Sequence, residues 1–284
     1  MPGQAARIRL TLALLAACAM IAGACTFTVG RSVDQRDITV QRFGAGPNAV
    51  LIIGGLHTGA EDNSRVIAEQ LATYLGQQPQ VVPANVTVYV VASANPDGTA
   101  RRTRTNAHGV DLNRNWPSDN WSSRACHPQS GCRAGLGGPA PLSEPEVYAL
   151  YHLIGTLRPE VTIAFHAAAN VVEANEAGRA GDYGRLYAAH AGYPYIEEWR
   201  AYTLTGQMID AVEQRLGLGA MDVEMSRCCS VTPADFERNL RGVVAVLNEV
   251  ALVPPPATPT PPAATPTPRP SATPTWDLPD IDLP

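Results

Sequence analysis

Five consecutive apolar residues, Ala49-Val50-Leu51-Ile52-Ile53, run straight into Gly54-Gly55 with no polar side chain among them. A strand with one wet face alternates polar and apolar residues, so an unbroken apolar run of strand length marks a strand covered on both faces, as in a parallel sheet between helices. Val86 to Ala92 and Val161 to Phe165 repeat the strand signal, and Ser64 to Leu75 shows helical periodicity. Ser143-Glu144-Pro145-Glu146 sets Glu three residues after Ser, a reciprocal capping arrangement that opens an amphipathic run to Leu157. Thr232-Pro233-Ala234-Asp235 opens a last helix with Pro at its first position. No Pro- or Ser-rich linker interrupts residues 26–253. This predicts a single α/β domain of three layers, a mixed, largely parallel twisted sheet flanked by helices.

The two ends read differently. Arg7-Ile8-Arg9 precedes an apolar run from Leu10 to Ala24 that is too short to span a bilayer but matches a secretory signal. Residues 1–24 are therefore expected to direct export, and the protein to be secreted or associated with the cell envelope. Cys25, or else Cys18, is a candidate for lipid attachment that would tether it to a membrane, with simple cleavage after Ala24 as the alternative. Residues 254–284 form a Pro/Thr-rich tail with nothing to bury, expected to act as an extended spacer. Cys126, Cys132, Cys228 and Cys229 remain, an even number that favours disulfides in an exported chain. Closure of the short Cys126–Cys132 loop and cross-pairing between the two clusters both stay open. A net charge of −5, with every cation an arginine, gives no footprint for nucleic acid. A monomer is expected.

Polar residues cluster where the apolar strands end: His57 after one, Asn95-Pro96-Asp97-Gly98 after another, His166 after a third and Glu224 in a fourth. Open α/β sheets bind ligands at that edge. A hydrolytic zinc site needs three protein ligands and an open position, and two histidines with one carboxylate are a common set. His57 and Glu61 lie four apart at a loop-to-helix junction, a spacing that can bring both side chains to one face, and His166 arrives from a separate strand.

The order of motifs over nearly all of residues 26–250 resembles the zinc carboxypeptidase (metallocarboxypeptidase) family. Gly54-Gly55-Leu56-His57 with Glu61 resembles its first metal-ligand motif, and Arg101-Arg102-Thr103-Arg104 the stretch carrying a carbonyl-polarising arginine. Gly109-Val110-Asp111-Leu112-Asn113-Arg114-Asn115-Trp116 is the most specific match. Ile163-Ala164-Phe165-His166 resembles the strand of the last ligand, Tyr202 with Gly206 and Asp210 the mobile-tyrosine segment, and Asp222-Val223-Glu224 the strand of the catalytic glutamate.

The resemblance implies one zinc ion on His57, Glu61 and His166, with Glu224 taking the attacking water's proton and passing it to the leaving amine. It makes Arg101 the oxyanion stabiliser, or Arg102 or Arg104 under a shifted register. Asn113 and Arg114 would grip the terminal carboxylate of a peptide, Tyr202 would close over it, and Ile209 would line the pocket for the departing side chain. The implied activity is removal of the C-terminal residue of peptides. With Ile209 there, apolar or aromatic terminal residues are expected, and peptides of the cell wall are an open alternative. Rival readings are an amidohydrolase of N-acyl amino acids and a non-catalytic binder of peptide ends. This chain departs from the family in placing three residues, Thr58-Gly59-Ala60, between His57 and Glu61 where two are usual. It also carries Ala168 where the pancreatic enzymes have an aromatic residue near the cleft.

Overall fold

A computed structural model describes residues 25–127 and 131–254. The expected signal segment 1–24, including Cys18, and the tail beyond residue 254 lie outside them. The strands are β1 (Cys25–Arg31), β2 (Asp37–Gly44), β3 (Asn48–Ile53), β4 (Val86–Val91), β5 (Ala125–His127), β6 (Gly131–Arg133), β7 (Val161–Ala167), β8 (Val171–Ala174), β9 (Tyr195–Ile196) and β10 (Ala220–Met225). The helices are α1 (Asn63–Gln77), α2 (Pro96–Arg101), α3 (Pro145–Leu157), α4 (Ala180–Ala191), α5 (Met208–Ala211) and α6 (Pro233–Val250).

Eight strands form one sheet in the order β1-β2-β4-β3-β7-β10-β8-β9. The central run β4-β3-β7-β10 is parallel throughout, and antiparallel pairings join β1 to β2, β2 to β4 and β10 to β8. Alternation along β3 explains why its sequence is apolar at every step. Val50 and Ile52 face a core shared with α1, α4 and α6. Leu51 and Ile53 face the other side, packing with α3 and with Met208 to Val212. Both faces are dry, which is the three-layer arrangement its composition demanded.

Because the four central strands run the same way, their carboxyl ends meet at one edge. There the chain breaks from regular structure: Gly54 lies so close to α1 that a Cβ would come within 2.4 Å of the Ser64 carbonyl oxygen. His166 and Glu224 sit in directly paired positions on β7 and β10. A separate two-stranded ribbon, β5 with β6, is closed by a Cys126–Cys132 disulfide, while Cys228 and Cys229 are free and exposed.

Candidate active site

The His57–Glu61 spacing is accommodated by a tight turn. Gly59 takes φ +69°, a conformation that disfavours side chains, and opens a 3₁₀ turn over Gly59–Glu61 just before α1. The additional residue is thus taken up as turn, and the Glu61 carboxylate comes back to 3.0 Å from Nδ1 of His57. Nδ1 of His166 lies 3.2 Å from the same nitrogen. One ligand atom from each of His57, Glu61 and His166 falls within 4.8 Å of the others. Both imidazoles are buried. Three donors of this kind around one point fit zinc, and the remote ring nitrogen of His57 has the outer partner that a metal-bound histidine needs, the Asp111 carboxylate at 2.9 Å.

Charges in this pocket shift one another. Burial and Arg104 depress the His57 pKa, but Asp111 and Glu61 outweigh them and leave it raised above 6.5. Burial raises Glu61, yet His57 and Arg104 win and pull it to about 2. Burial and the neighbouring His57 drive His166 down to about 3, so it stays neutral. Glu224 moves the other way: burial, seconded by the Glu61 carboxylate, pushes it up to about 7, and its Oε2 has no hydrogen-bond partner.

The arginine nearest this centre is Arg104, not Arg101. Helix α2 starts under an Asn95 cap, whose Oδ1 accepts from Gly98 N at 2.8 Å, and ends at Arg102 in a left-handed conformation. That reversal leaves Arg101 outside, where it donates to Asp34 at 2.8 Å and to the Ala107 carbonyl at 3.1 Å. It returns the chain across Thr58, whose hydroxyl donates to the Thr103 carbonyl, and points Arg104 into the cleft. There Arg104 donates to Asp111 Oδ2 at 2.8 Å and to Glu61. The expectation for Arg101 is corrected because helix termination, invisible in a run of arginines, decides which one turns inward.

A 3₁₀ turn over Leu112–Arg114, capped by Asp111, holds Asn113 and Arg114. The Asn113 side-chain oxygen accepts from Met208 N at 2.8 Å, and Arg114 donates to the Asn113 carbonyl, the Cys126 carbonyl and the Tyr202 hydroxyl at 2.7, 3.2 and 3.3 Å. A cleft of about 180 Å³ is lined by the three candidate ligands together with Arg104, Asn113, Arg114, Tyr202 and Glu224. Ala168 lines it also. Ile209 lines the wider cavity that adjoins the cleft, and Glu173 and Asp222 line the cleft itself. Asp111, Glu173 and Asp222 were not assigned from sequence. Asp111 and Asp222 were visible only as parts of motifs, and Glu173 on β8 had no signal of its own.

Two buried histidines and a carboxylate at the carboxyl edge of a parallel sheet form a candidate metal site. The chain belongs to the zinc carboxypeptidase family, whose family model matches residues 23–175. That stretch holds His57, Glu61, Arg104, Asn113, Arg114 and His166, while Tyr202 and Glu224 lie beyond it. Murein peptide amidase A of Escherichia coli K12 is 35% identical over 122 residues, which cover 41% of this chain and 48% of the relative. The chain thus spans about half the length of the curated relatives it matches. Among solved structures, murein-tripeptide amidase from Escherichia coli O157 superposes with a TM-score of 0.61 at 24% identity, covering 84% of this chain and 96% of that one. Bovine thrombin-activatable fibrinolysis inhibitor gives 0.67 at 17% identity, over 80% and 90%. At these identities the superpositions establish the fold.

Proposed function

We propose that this protein is an exported zinc-dependent peptidase that cleaves the amide bond next to a free terminal carboxylate, and that murein-derived peptides are its substrate pool. The observation that carries the carboxylate requirement is Arg114. It is 2% exposed, yet its hydrogen bonds go to two carbonyl oxygens and one phenol, and among the described residues no carboxylate forms an ion pair with it. A buried cation with no carboxylate in direct contact is costly, and a bidentate carboxylate is the ligand that a guanidinium fork matches best. The names of the curated relatives supply the murein pool, and the apolar run at residues 10–24 supports export.

Zinc held by His57, Glu61 and His166 would lower the pKa of a water and polarise the scissile carbonyl. Glu224, with a free oxygen and a pKa near neutrality, suits a group that accepts the water's proton and returns it to the leaving amine. Arg104 supplies a charged donor for the developing oxyanion. Tyr202, whose hydroxyl already contacts Arg114, covers the bound end of the peptide. The test is a panel of blocked peptides in matched C-terminal acid and amide forms, with and without chelator. Hydrolysis confined to the acids, and lost on zinc removal, supports the proposal. Equal cleavage of the amides, or activity that persists after complete metal removal, rejects it.

A further inference from the structure

Just past the end of β10 the chain turns through an exposed loop, residues 226–230, that carries two adjacent thiols, Cys228 and Cys229. The Cys229 thiol donates to Cys228 Sγ at 2.6 Å, so the two sulfurs face each other. Cys126 and Cys132 are bonded to one another, which leaves this pair as the free thiols among the described residues. The loop is tied at two points to the segment that seats a candidate metal ligand. Cys229 N donates to the Ala60 carbonyl at 3.0 Å, and the buried Asn63 side chain at the start of α1 donates to the Arg227 carbonyl at 2.7 Å. Ala60 directly precedes Glu61 in the 3₁₀ turn. Cys229 makes its contact in a left-handed conformation, φ +76°, which a residue with a Cβ disfavours and an exposed loop readily leaves.

Thiol–disulfide exchange needs an accessible thiolate and a second thiol within reach, and both are present here. The export proposed above would bring the pair into oxidising surroundings. We propose that Cys228 and Cys229 are a redox modification site: a low-molecular-weight disulfide such as oxidised glutathione converts them to a vicinal disulfide, and that ring locks the loop onto the turn carrying Glu61. One thiolate attacks the donor disulfide, forming a mixed disulfide and releasing one donor thiol. The second thiolate attacks the protein sulfur of that bond and releases the other. The pair gives up two electrons and two protons, and the donor disulfide takes them to become two thiols. Because the side chains already face each other, closure leaves the Cys229 N–H aimed at Ala60 and removes the open conformations of the loop. The modification depends on the two thiols alone, and its consequence for the metal rests on the ligand assignment above.

The test equilibrates full-length protein at graded ratios of reduced to oxidised glutathione, quenches it in acid, alkylates it and cuts it after arginine. Residues 228–238 then form one peptide. Mass spectrometry should find it with two alkyl groups from reduced protein, and with none and two hydrogens fewer from oxidised protein. A peptide that retains glutathione, or that stays open to alkylation at every ratio, overturns the inference. Transfer of zinc to a chelator reads the lock. Release from oxidised protein should be slower by roughly threefold to tenfold, the worth of one hydrogen bond, and Cys228→Ser/Cys229→Ser protein should release at the reduced rate with or without oxidant. Equal release from the two states overturns the coupling to the turn. Exchange of the Cys229 amide hydrogen, followed by NMR, needs no metal: slower exchange in oxidised protein supports the lock, and equal exchange overturns it. A protein that takes up no zinc in either state sinks the ligand assignment, and the amide result then judges the lock by itself.

Discussion

Nε2 of His57 stands 2.9 Å from Oδ1 of Asp111, so the ring is held from behind while Nδ1 faces Glu61 and His166. A metal held through Nδ1 would leave the proton of the neutral ring on Nε2, where Asp111 would accept it and fix both tautomer and orientation. Asp111→Asn should weaken zinc binding by about 10–100-fold, measured by competition with a chelator of known affinity.

The same contact sets a pH dependence. Asp111 and Glu61 keep the metal-free His57 pKa above 6.5, so a proton competes with zinc for this ring as pH falls through that raised value. Glu61, at about 2, and His166, at about 3, are already in their ligating forms there. Zinc affinity should therefore fall with a slope of one proton below the His57 pKa, and zinc uptake at pH 6 should release close to one proton. Titration calorimetry in buffers of differing ionisation enthalpy reads that number directly, and a release of two would contradict the assignment.

Arg101 and Arg104 separate cleanly by position. Arg104→Gln should lower kcat by about 10²–10³-fold with a smaller effect on KM, as expected for loss of a transition-state donor. Arg101→Gln removes an exposed pair with Asp34 and a bond to the Ala107 carbonyl, and should leave kcat/KM within about twofold of the unaltered protein with little change in Tm. Steady-state kinetics of the two variants side by side decides which one serves the reaction.

In the proposed mechanism Glu224 must be ionised to accept a proton, so activity should be lost as pH falls through its pKa. Burial and Glu61 lift that value to about 7 in the metal-free cleft, and a bound cation draws it back toward the ordinary 4.5. The acid limb of kcat/KM should fall between those limits, above the range of an exposed glutamate. Glu224→Gln should remove most of the activity while retaining zinc, and a variant that keeps both the limb and the rate would assign the base elsewhere.

The Cys126–Cys132 bridge closes a short loop with a sequence separation of six, so loop entropy limits its worth to about 2 kcal/mol. Its larger consequence is local, because the Cys126 carbonyl accepts from Nε of Arg114. Replacing both cysteines with serine should lower Tm modestly and raise KM for carboxylate-ended peptides more than it changes kcat. Thermal melts and kinetics on the same preparation test the two parts together.

The strands that build the centre of the sheet were legible because burial on both faces leaves a residue-level trace, the unbroken run at 49–53. The edge where His57, His166 and Glu224 meet followed from the rule that parallel strands end together. The antiparallel flanks, β1 with β2 and β10 with β8, left a weaker trace, since β1, β2 and β8 are only partly buried and carry no unbroken apolar run. Arg104 was hidden among three arginines, and Glu173 on β8 lay outside every motif.

By itself the sequence determined the three-layer class, the residues able to bind a metal and the strand ends that carry them, because these depend on side-chain type and on periodicities of two and 3.6 residues. Tertiary structure alone decided which arginine faces the cleft, that Asp111 backs His57, and that Asp222 and Glu173 line the cleft beside the cavity that Ile209 lines. Those outcomes depend on a left-handed residue at Arg102, a turn at Gly59 and the pairing of β8 with β10, each of which is fixed by packing between segments far apart in the chain.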